Sequence, residues 1–264
     1  MLAGVLLTAS PAKMPIGYAN ANAAVAVQLM ALAGLVGLDP RARRLAWVGV
    51  ALALLTVLAN RSAAGAAVAL PVLLTAACAM RAFPGRRRWP AAVVAVSALA
   101  ATTAALVTLS RRAVWPNPAV DAFDEIRRVL WLQAWGAFRE AEIAGRGPGS
   151  FESLNILTDP DQSAVHSLPL QVAVELGGIG VALLVALYVC GLAVALGAVT
   201  PAHSWIATAG WSALAVHAFV DHLVEYWPVV VAAGLVLGYG LAAQPDAQRQ
   251  DEGVEVAGTG PRRL

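Results

Sequence analysis

The segment PLQVAVELGGIGVALLVALYVCGLAVAL, from Pro169 to Leu196, decides the fold, and Glu175 is its only charged residue. About 20 apolar residues are enough for a helix to cross the hydrocarbon core of a bilayer. Similar segments recur along the chain, which is 59% hydrophobic and 13% charged. A soluble domain has roughly a quarter charged residues. Because a helix satisfies its backbone polar groups internally, we predict an all-α, polytopic transmembrane bundle.

The apolar pattern predicts about seven membrane spans, at 19–38, 45–59, 63–80, 91–109, 169–196, 204–220 and 227–243. Arginines concentrate in the loop after the first span and in the loop after the third, which the positive-inside rule assigns to the cytoplasm. By alternation, the outward-facing parts are residues 17–22, the turn at 60–61, the loop 110–168 and residues 221–226.

Four regions follow: transmembrane helices in 1–110, an extracytoplasmic loop at 111–168, further transmembrane helices in 169–243, and a polar tail at 244–264. The tail is expected to be cytoplasmic and disordered. The first ten residues, MLAGVLLTAS, are too short to span and look like the end of a span. Cys78 and Cys190 fall inside predicted spans and are interpreted as small apolar residues. A net charge of +2 gives no support for nucleic-acid binding.

The long outer loop contains two notable pieces. Apolar residues at helical spacing predict an amphipathic helix over 118–144, in which Arg127, Trp131 and Trp135 share a face. Tryptophans favour the membrane–water boundary, so this helix is expected to lie along the outer surface. On the pattern alone, Arg127 and Arg128 also suit a solvated face. The second piece, GRGPGSF (145–151), is either an ordinary loop or one whose N–H groups approach an anion.

Polar residues near the spans are the candidates for chemistry, because such residues are rare in membranes. Glu175 is about 10 Å into its helix if Ser167 is the N-cap, and Gln171 lies on the same face. Glu175 needs a partner, for which an arginine is suitable. Arg61 is either snorkelling to the interface or part of a site. His166 taken alone is an ordinary loop histidine.

A second polar group lies at the outer end of the sixth predicted span: His217, Asp221, His222 and Glu225. It is interpreted either as a polar helix end or as part of the same outer site. His217 and His222 are five residues apart and share a helical face poorly, so no metal site is predicted. The sequence contains no phosphate-binding P-loop and no dinucleotide fingerprint.

The order of these features resembles the O-antigen ligase and O-antigen polymerase superfamily of bacterial membrane glycosyltransferases. GYANANAAVAV (17–27), Asn60–Arg61–Ser62 and GRGPGSF are similar to motifs of that family. IRRVLW (126–131) resembles its Arg-x-x-x-Trp element, which selects Arg127 over Arg128. AVHSLPLQVAVELGGIG (164–180) resembles its histidine-containing stretch. Ser167 and Asn60 depart from the family pattern, and family members carry further spans before the first one here, so the chain start looks truncated.

The resemblance implies a metal-independent glycosyltransferase without a cofactor, acting on the outer face of the cytoplasmic membrane. The donor would be a glycan on a polyprenyl diphosphate such as undecaprenyl diphosphate, and the acceptor a lipid, a glycan or a protein. Arg61 and Arg127 would hold the diphosphate, because guanidinium groups suit phosphate oxygens. His166 would act as the base or bind the diphosphate, supported by Glu175 and Gln171. Further candidates are Arg128, Gly147, Gly149, Asp221 and His222.

Two alternatives stay open from the sequence. One is a membrane transport protein for a lipid-linked or amphipathic solute, and the other is a truncated, inactive membrane scaffold. The glycosyltransferase interpretation makes a structural prediction that separates them: Arg61, Arg127 and His166 converge on one outward cavity.

Overall fold

The computed structural model describes residues 15–82, 87–157 and 164–242, and all regular elements in these ranges are helical. The expectations about residues 1–14 and the tail at 244–264 fall outside the described residues. The helices are α1 (Ala19–Val36), α2 (Arg43–Ala59), α3 (Ala63–Ala82), α4 (Trp89–Ser110), α5 (Asn117–Glu140), α6 (Ser150–Leu154), α7 (Leu168–Leu196), α8 (Pro201–Ala218) and α9 (Trp227–Ala242), with a 3-10 turn at Leu223–Glu225 before α9.

Among the described residues, four helices are long and apolar enough to cross a membrane: α1, α3, α4 and α7. Each of the other three predicted spans coincides with a helix, but α2 has 17 residues and α9 has 16. The remaining helix, α8, has 18 residues and contains His203, Ser204, Thr208, Ser212 and His217, which dilute its apolar character. The chain is therefore an all-helical membrane protein with four candidate spans, and the seven-span topology stays a prediction.

The bundle is organised around α1, which packs against α2, α3, α8 and α9. Small residues allow close approach: a Cβ on Gly34 would lie 2.7 Å from the Ala76 Cβ of α3. Buried apolar side chains such as Met30 and Ile206 fill the space between the helices. The Gln28 amide in α1 donates to the Gly210 carbonyl of α8 at 3.0 Å. These contacts fix α1 relative to α3 and α8.

The loop between α4 and α7 forms a second layer in which α5 packs on α7 and α4. Its core contains Trp131, which is 1% exposed and lies between the rings of Trp115 and Phe123 at centroid distances of 5.3 and 5.5 Å. Neighbouring aromatic side chains of the same layer cover Trp131, and its expected position at the membrane–water boundary stays a prediction. The predicted helix exists as α5, and its interfacial position stays a prediction.

A break in α7 holds this outer layer on the bundle. Gly177 has φ 62° and ψ −158°, a conformation that only glycine adopts readily. The chain around the glycine-rich loop binds the exposed backbone: Arg146 N donates to the Val174 carbonyl, Gly147 N to the Glu175 carbonyl, both at 2.9 Å, and Gly178 N to the Glu142 carbonyl at 2.7 Å. The N–H groups of Arg146 and Gly147 are therefore used inside the protein. These two groups are occupied, and the interpretation of the loop as an anion-binding segment stays a prediction for its remaining N–H groups.

Candidate functional site

Asp221 is the centre of the polar site, in the loop that follows α8, and it is completely buried. Its Oδ1 accepts a hydrogen bond from the His222 backbone N–H at 2.8 Å and lies 3.0 Å from His222 Nδ1. The Tyr18 hydroxyl donates to the carboxylate, at 2.9 Å from Oδ1 and 2.8 Å from Oδ2. Asn20 Nδ2 donates to Oδ2. We call Tyr18, Asn20, Arg127, His166, Asp221 and His222 the Asp221 cluster.

His166 reaches this carboxylate through the start of α7. Its Nδ1 lies 3.5 Å from Asp221 Oδ1 and 3.5 Å from the Tyr18 hydroxyl. The backbone of His166 is left-handed, with φ 53°, which costs energy for a non-glycine residue. Hydrogen bonds on both sides hold it: Val165 N donates to Gln171 Oε1 at 3.0 Å, and Leu168 N donates to the Asp221 carbonyl at 3.2 Å.

Arg127 lies on the other side of the carboxylate, with Nη2 4.0 Å from Asp221 Oδ2. The backbone of α5 breaks at Asp124, whose φ is 71°, and Asp124 Oδ1 accepts from Arg127 N at 2.8 Å. This capping interaction starts a new helical turn and places Arg127 within it. Arg128 points elsewhere, because it pairs with Glu125 and donates to the Ala113 carbonyl. Arg127 Nε is buried without a hydrogen-bond partner among the described residues.

Aromatic rings pack around the Asp221 cluster. Tyr18 stacks on His222 and on Tyr226, with centroid distances of 5.3 Å to each. His166 and His222 meet edge to face at 4.8 Å. The side chains of His166 and Arg127 keep 11% and 20% of their surface exposed, whereas that of Asp221 keeps none. The histidine and the arginine are therefore partly accessible, and the carboxylate lies behind them.

The electrostatics of the cluster favour a charged carboxylate. Burial alone would raise the pKa of Asp221, but the hydrogen bonds of His166, His222 and Tyr18 hold that pKa well below its usual range. Burial also raises the pKa of the Tyr18 phenol, and the negative charge of Asp221 raises it further. Tyr18 is thus a neutral hydrogen-bond donor to an ionised acceptor at neutral pH.

The other candidates from the sequence lie around this cluster rather than in it. Glu175 is half-buried and accepts from Gln171 Nε2, so its partner among the described residues is an amide rather than an arginine. Arg61 is exposed, with φ 51°, and forms no ion pair within the described ranges. The preceding residue, Asn60, is buried and accepts from Asn22 Nδ2 of α1 at 3.2 Å. The structure therefore brings Arg127 and His166 together and leaves Arg61 on a neighbouring turn.

The remaining candidates from the sequence are Gly147, Gly149 and the polar group at the end of α8. Gly147 and Gly149 have left-handed backbones, and a Cβ on either would meet nothing within 4 Å. Of the polar group after α8, Asp221 and His222 join His166. His217 is 1% exposed and lies one turn earlier in α8, while Glu225 is exposed.

The arrangement of His166, Arg127 and Glu175 lies within the part of the chain that a known family covers. The sequence model described as O-antigen ligase matches residues 48–185, just over half of the chain. The chain belongs to the O-antigen ligase family. No curated protein and no solved structure matches it. The family match ends before Asp221 and His222 and begins after Tyr18 and Asn20, so these four residues of the candidate site lie outside the matched region of this O-antigen ligase family member.

The fold also brings together three residues that could hold a metal ion, although the sequence predicts no metal site. One ligand atom from each of His166, Asp221 and His222 lies within 4.8 Å of the others, which is close enough for a metal ion. The sequence argument considered only the spacing of His217 and His222, and His166 comes from a segment 55 residues before Asp221. Residue type and distance therefore permit a metal here. Against it, Asp221 already accepts from Tyr18, Asn20 and the His222 backbone, and a guanidinium lies 4.0 Å away.

Tyr18 and Asn20 are the residues that sequence reasoning missed. Both lie in GYANANAAVAV, which resembles a family motif, but the resemblance implies no role for either residue. A usable signal was present, since a phenol at the N-cap and an amide in the first turn begin an apolar helix. The sequence does not show that both residues donate hydrogen bonds to Asp221, about 200 residues later.

Proposed function

We propose that this protein transfers a glycan from a polyprenyl-diphosphate carrier to an acceptor hydroxyl on the outer face of the cytoplasmic membrane, in cell-surface polysaccharide assembly. The observation that carries the proposal is the Asp221 carboxylate between His166 and Arg127, at 3.5 and 4.0 Å. His166 is suited to act as a base and Arg127 to bind a phosphate, and the same buried carboxylate of Asp221 holds both. This arrangement suits attack by a hydroxyl and departure of a diphosphate.

His166 takes the proton in this scheme. Its Nδ1 faces the carboxylate of Asp221, so the hydrogen on Nδ1 leaves the Nε2 lone pair free for the acceptor. The acceptor oxygen bonds to the anomeric carbon of the donor sugar while the bond from that carbon to the phosphate oxygen breaks. The hydroxyl proton moves to Nε2, and polyprenyl diphosphate leaves with the bonding electrons. The contact of 3.5 Å is long, as is common for catalytic hydrogen bonds before substrate binds.

Arg127 stabilises the departing diphosphate. Its guanidinium contacts Asp124 Oδ2 at 3.5 Å and Asp221 Oδ2 at 4.0 Å, both longer than an ideal charge-assisted hydrogen bond. Its side chain is partly exposed, although its Nε is buried. Arg61 supplies a second cation if the turn that it occupies faces the same diphosphate. Preorganised charge of this kind is a large term in catalysis because it needs no rearrangement during reaction.

Glu175 and Gln171 support His166 and do not contact the reacting groups themselves. Gln171 donates to Glu175 and accepts from Val165 N, the residue before His166. Glu175 therefore orients the amide, and the amide holds the strained backbone from which His166 projects. This pair is a support for His166 rather than a ligand of the substrate.

An apolar groove between α1 and α2 suits the polyprenyl chain. Its volume is about 430 Å³, and one end lies at Ile16 and Asn22 while the other lies at Val36 and Leu45. Asn22 binds Asn60, the neighbour of Arg61, so the groove ends beneath the turn that carries this arginine. A lipid with its tail in the groove would have its diphosphate at the outer end of α1.

The test compares two adjacent arginines. In purified full-length protein in nanodiscs, Arg127→Ala is expected to weaken binding of undecaprenyl diphosphate by about 10- to 100-fold, the worth of hydrogen bonds to a charged group. Arg128→Ala is the control, because Arg128 pairs with Glu125 and points away from Asp221. In cells, attachment of the surface glycan, read on a gel, should disappear in Arg127→Ala and in His166→Ala.

The outcomes separate the alternatives. Unchanged glycan attachment in both Arg127→Ala and His166→Ala would refute the transferase and favour an inactive scaffold. If His166→Ala still binds undecaprenyl diphosphate but the cells no longer export a lipid-linked solute, transport of that solute would be favoured. Equal effects of the two arginine variants would show that charge alone, rather than the position of Arg127, determines binding.

A further inference from the structure

The Tyr18 hydroxyl occupies the point where the donors and acceptors of the Asp221 cluster meet. It lies 2.9 and 2.8 Å from the two oxygens of Asp221 and 3.5 Å from His166 Nδ1, and it lies 3.3 Å from Asn20 Nδ2. A phenol has one hydrogen to donate. Since the carboxylate is the nearest and only charged acceptor, that hydrogen belongs to Asp221.

This assignment fixes the hydrogen on His166. With its hydrogen directed to Asp221, the Tyr18 oxygen presents only lone pairs to His166 Nδ1, and so does Asp221 Oδ1. Both neighbours of Nδ1 are then acceptors. When His166 is neutral, its hydrogen therefore lies on Nδ1 and Nε2 is unprotonated, which is the form that a base needs.

The phenol also limits the pull of the carboxylate on His166. A carboxylate that accepts from Tyr18 and Asn20 shares its charge with those donors and binds an imidazolium less tightly. The other groups that face His166 are Asp221 and His222 from the loop after α8, and Arg127 from α5 lies near the same carboxylate. Tyr18 is the neutral donor in this set whose removal changes neither the charge nor the ring packing.

We infer that Tyr18 is a positioning residue for the transfer reaction: its hydroxyl orients Asp221, fixes the hydrogen of His166 on Nδ1 and sets how easily His166 becomes protonated. The inference rests on the proposed function, because it assigns Tyr18 a role through His166 as the base. Tyr18 lies outside the residues that the family match covers. Its ring is held by stacking on His222 and Tyr226, so the hydroxyl can be removed without emptying the site.

The experiment uses Tyr18→Phe in the full-length chain in proteoliposomes, with lipid-linked glycan extracted from the source cells as donor. We expect kcat to fall about tenfold or more, as for loss of a hydrogen bond to a charged group, with the KM for donor and the binding of undecaprenyl diphosphate unchanged. The acid side of the kcat profile should move to higher pH, because a carboxylate without its phenol donor favours the imidazolium form of His166.

The matched control is Tyr226→Phe. Tyr226 stacks on the same ring, but its hydroxyl forms no hydrogen bond to any described residue. This variant should keep the wild-type kcat and pH profile. A second variant replaces Tyr18 by 3,5-difluorotyrosine, which keeps the hydroxyl and makes it a stronger donor. It should move the acid side to lower pH, opposite to phenylalanine.

The results distinguish this inference from the proposed function. If His166→Ala abolishes transfer while Tyr18→Phe retains the wild-type kcat and pH profile, the role of Tyr18 is refuted and the transferase stands. If Tyr18→Phe raises KM or weakens undecaprenyl diphosphate binding instead, Tyr18 contacts substrate and the positioning role is wrong. If His166→Ala and Arg127→Ala are both active, the failure lies with the proposed function.

Discussion

Asp221 is an ionised group with no exposed surface, an arrangement that costs several kcal/mol unless donors replace the lost water. The donors are Tyr18, Asn20 and the backbone of His222, with His166 and Arg127 at longer distance. Removing the carboxylate would leave these groups facing each other. The desolvation cost of the Asp221 carboxylate is therefore offset by hydrogen bonds and charges from the residues that surround it in the candidate site.

The crowding around Asp221 leads to a prediction about metal ions. We expect dialysis against EDTA to leave glycan transfer unchanged, because the carboxylate is already saturated with donors and a guanidinium lies 4.0 Å from Oδ2. The measurement is the initial transfer rate before and after chelation, with metal content determined on the same samples. Added Zn²⁺ should not raise the rate.

The opposite result has a clear meaning. Loss of activity on chelation, restored by Zn²⁺ or Mn²⁺ in the wild type but not in His222→Ala, would assign His166, Asp221 and His222 as metal ligands. His203→Ala is the control for this arm, since His203 is bonded to Thr200 in a different part of the chain.

At the residue scale, sequence identified the types of group but not their pairing. His166 and Arg127 were chosen by resemblance, and the structure places both against Asp221. Glu175 was expected to need a partner, for which an arginine is suitable, and the partner is Gln171, four residues earlier on the same helical face. A local contact of this kind can be predicted from spacing. The contacts of Tyr18 with Asp221 join segments 203 residues apart and depend on how α1 and α8 pack.

At the scale of elements, the break in α7 connects the outer layer to the bundle. A Cβ on Gly177 would lie 2.4 Å from the Ile143 carbonyl oxygen, and a Cβ on Gly145 would lie 2.4 Å from the Glu175 carbonyl. Both glycines have positive φ. The glycine-rich segment thus approaches the first half of α7 backbone to backbone. This contact holds the turn of α7 that carries Gln171 and Glu175.

Gly177→Ala is expected to separate the two layers. The backbone conformation alone costs an alanine on the order of 1–3 kcal/mol, and the clash with Ile143 adds to this. The thermal unfolding midpoint in detergent should fall, and glycan transfer should fall with it, because His166 depends on this half of α7 for its position.

Gly136→Ala is the matched control, since a Cβ there meets nothing within 4 Å and the residue lies inside α5. Alanine in a helix is favoured over glycine by up to about 1 kcal/mol, so this variant should be as stable as the wild type or more stable. A wild-type unfolding midpoint and rate in Gly177→Ala would show that the layers are joined by other contacts.

The helices themselves were accessible from the sequence, and their irregularities were not. Apolar periodicity predicted α5 and the apolar helices to within a few residues. Hydropathy continues without change across Gly177, so the pattern contains no sign of the break. Trp131 was placed at the membrane surface by its residue type. Its burial depends on Trp115 and Phe123, which come from different parts of the outer layer.

At the scale of the whole molecule, apolar and polar functions are separated along the bundle. The helices α4 and α7 leave most of their surface exposed, as expected for spans in contact with lipid. The Asp221 cluster gathers at one end, where α1 and α7 begin and α8 ends. At the other end, Arg88 donates to the Leu196 and Val199 carbonyls and holds the C-terminal end of α7. A substrate with a long apolar tail and a charged head fits this division.

The groove between α1 and α2 gives the last prediction. Leu52 lines the groove, and Leu55 lies one turn further along α2 outside it. Both are partly exposed, at 39% and 50%. Between Asn22 and Val36, α1 rises about 20 Å, which is enough for several isoprene units. If the carrier lies there, Leu52→Trp should raise the KM for an undecaprenyl-diphosphate donor several-fold by filling the groove.

The same donor glycan on a short carrier of two isoprene units separates tail binding from head binding. Leu52→Trp should use this short donor as well as the wild type does, because the diphosphate and sugar do not enter the groove. Leu55→Trp adds the same bulk to the same helix and should use both donors normally. A uniform loss with both donors in Leu52→Trp would place the polyprenyl chain elsewhere on the bundle, and equal losses in the two variants would attribute the effect to α2 as a whole.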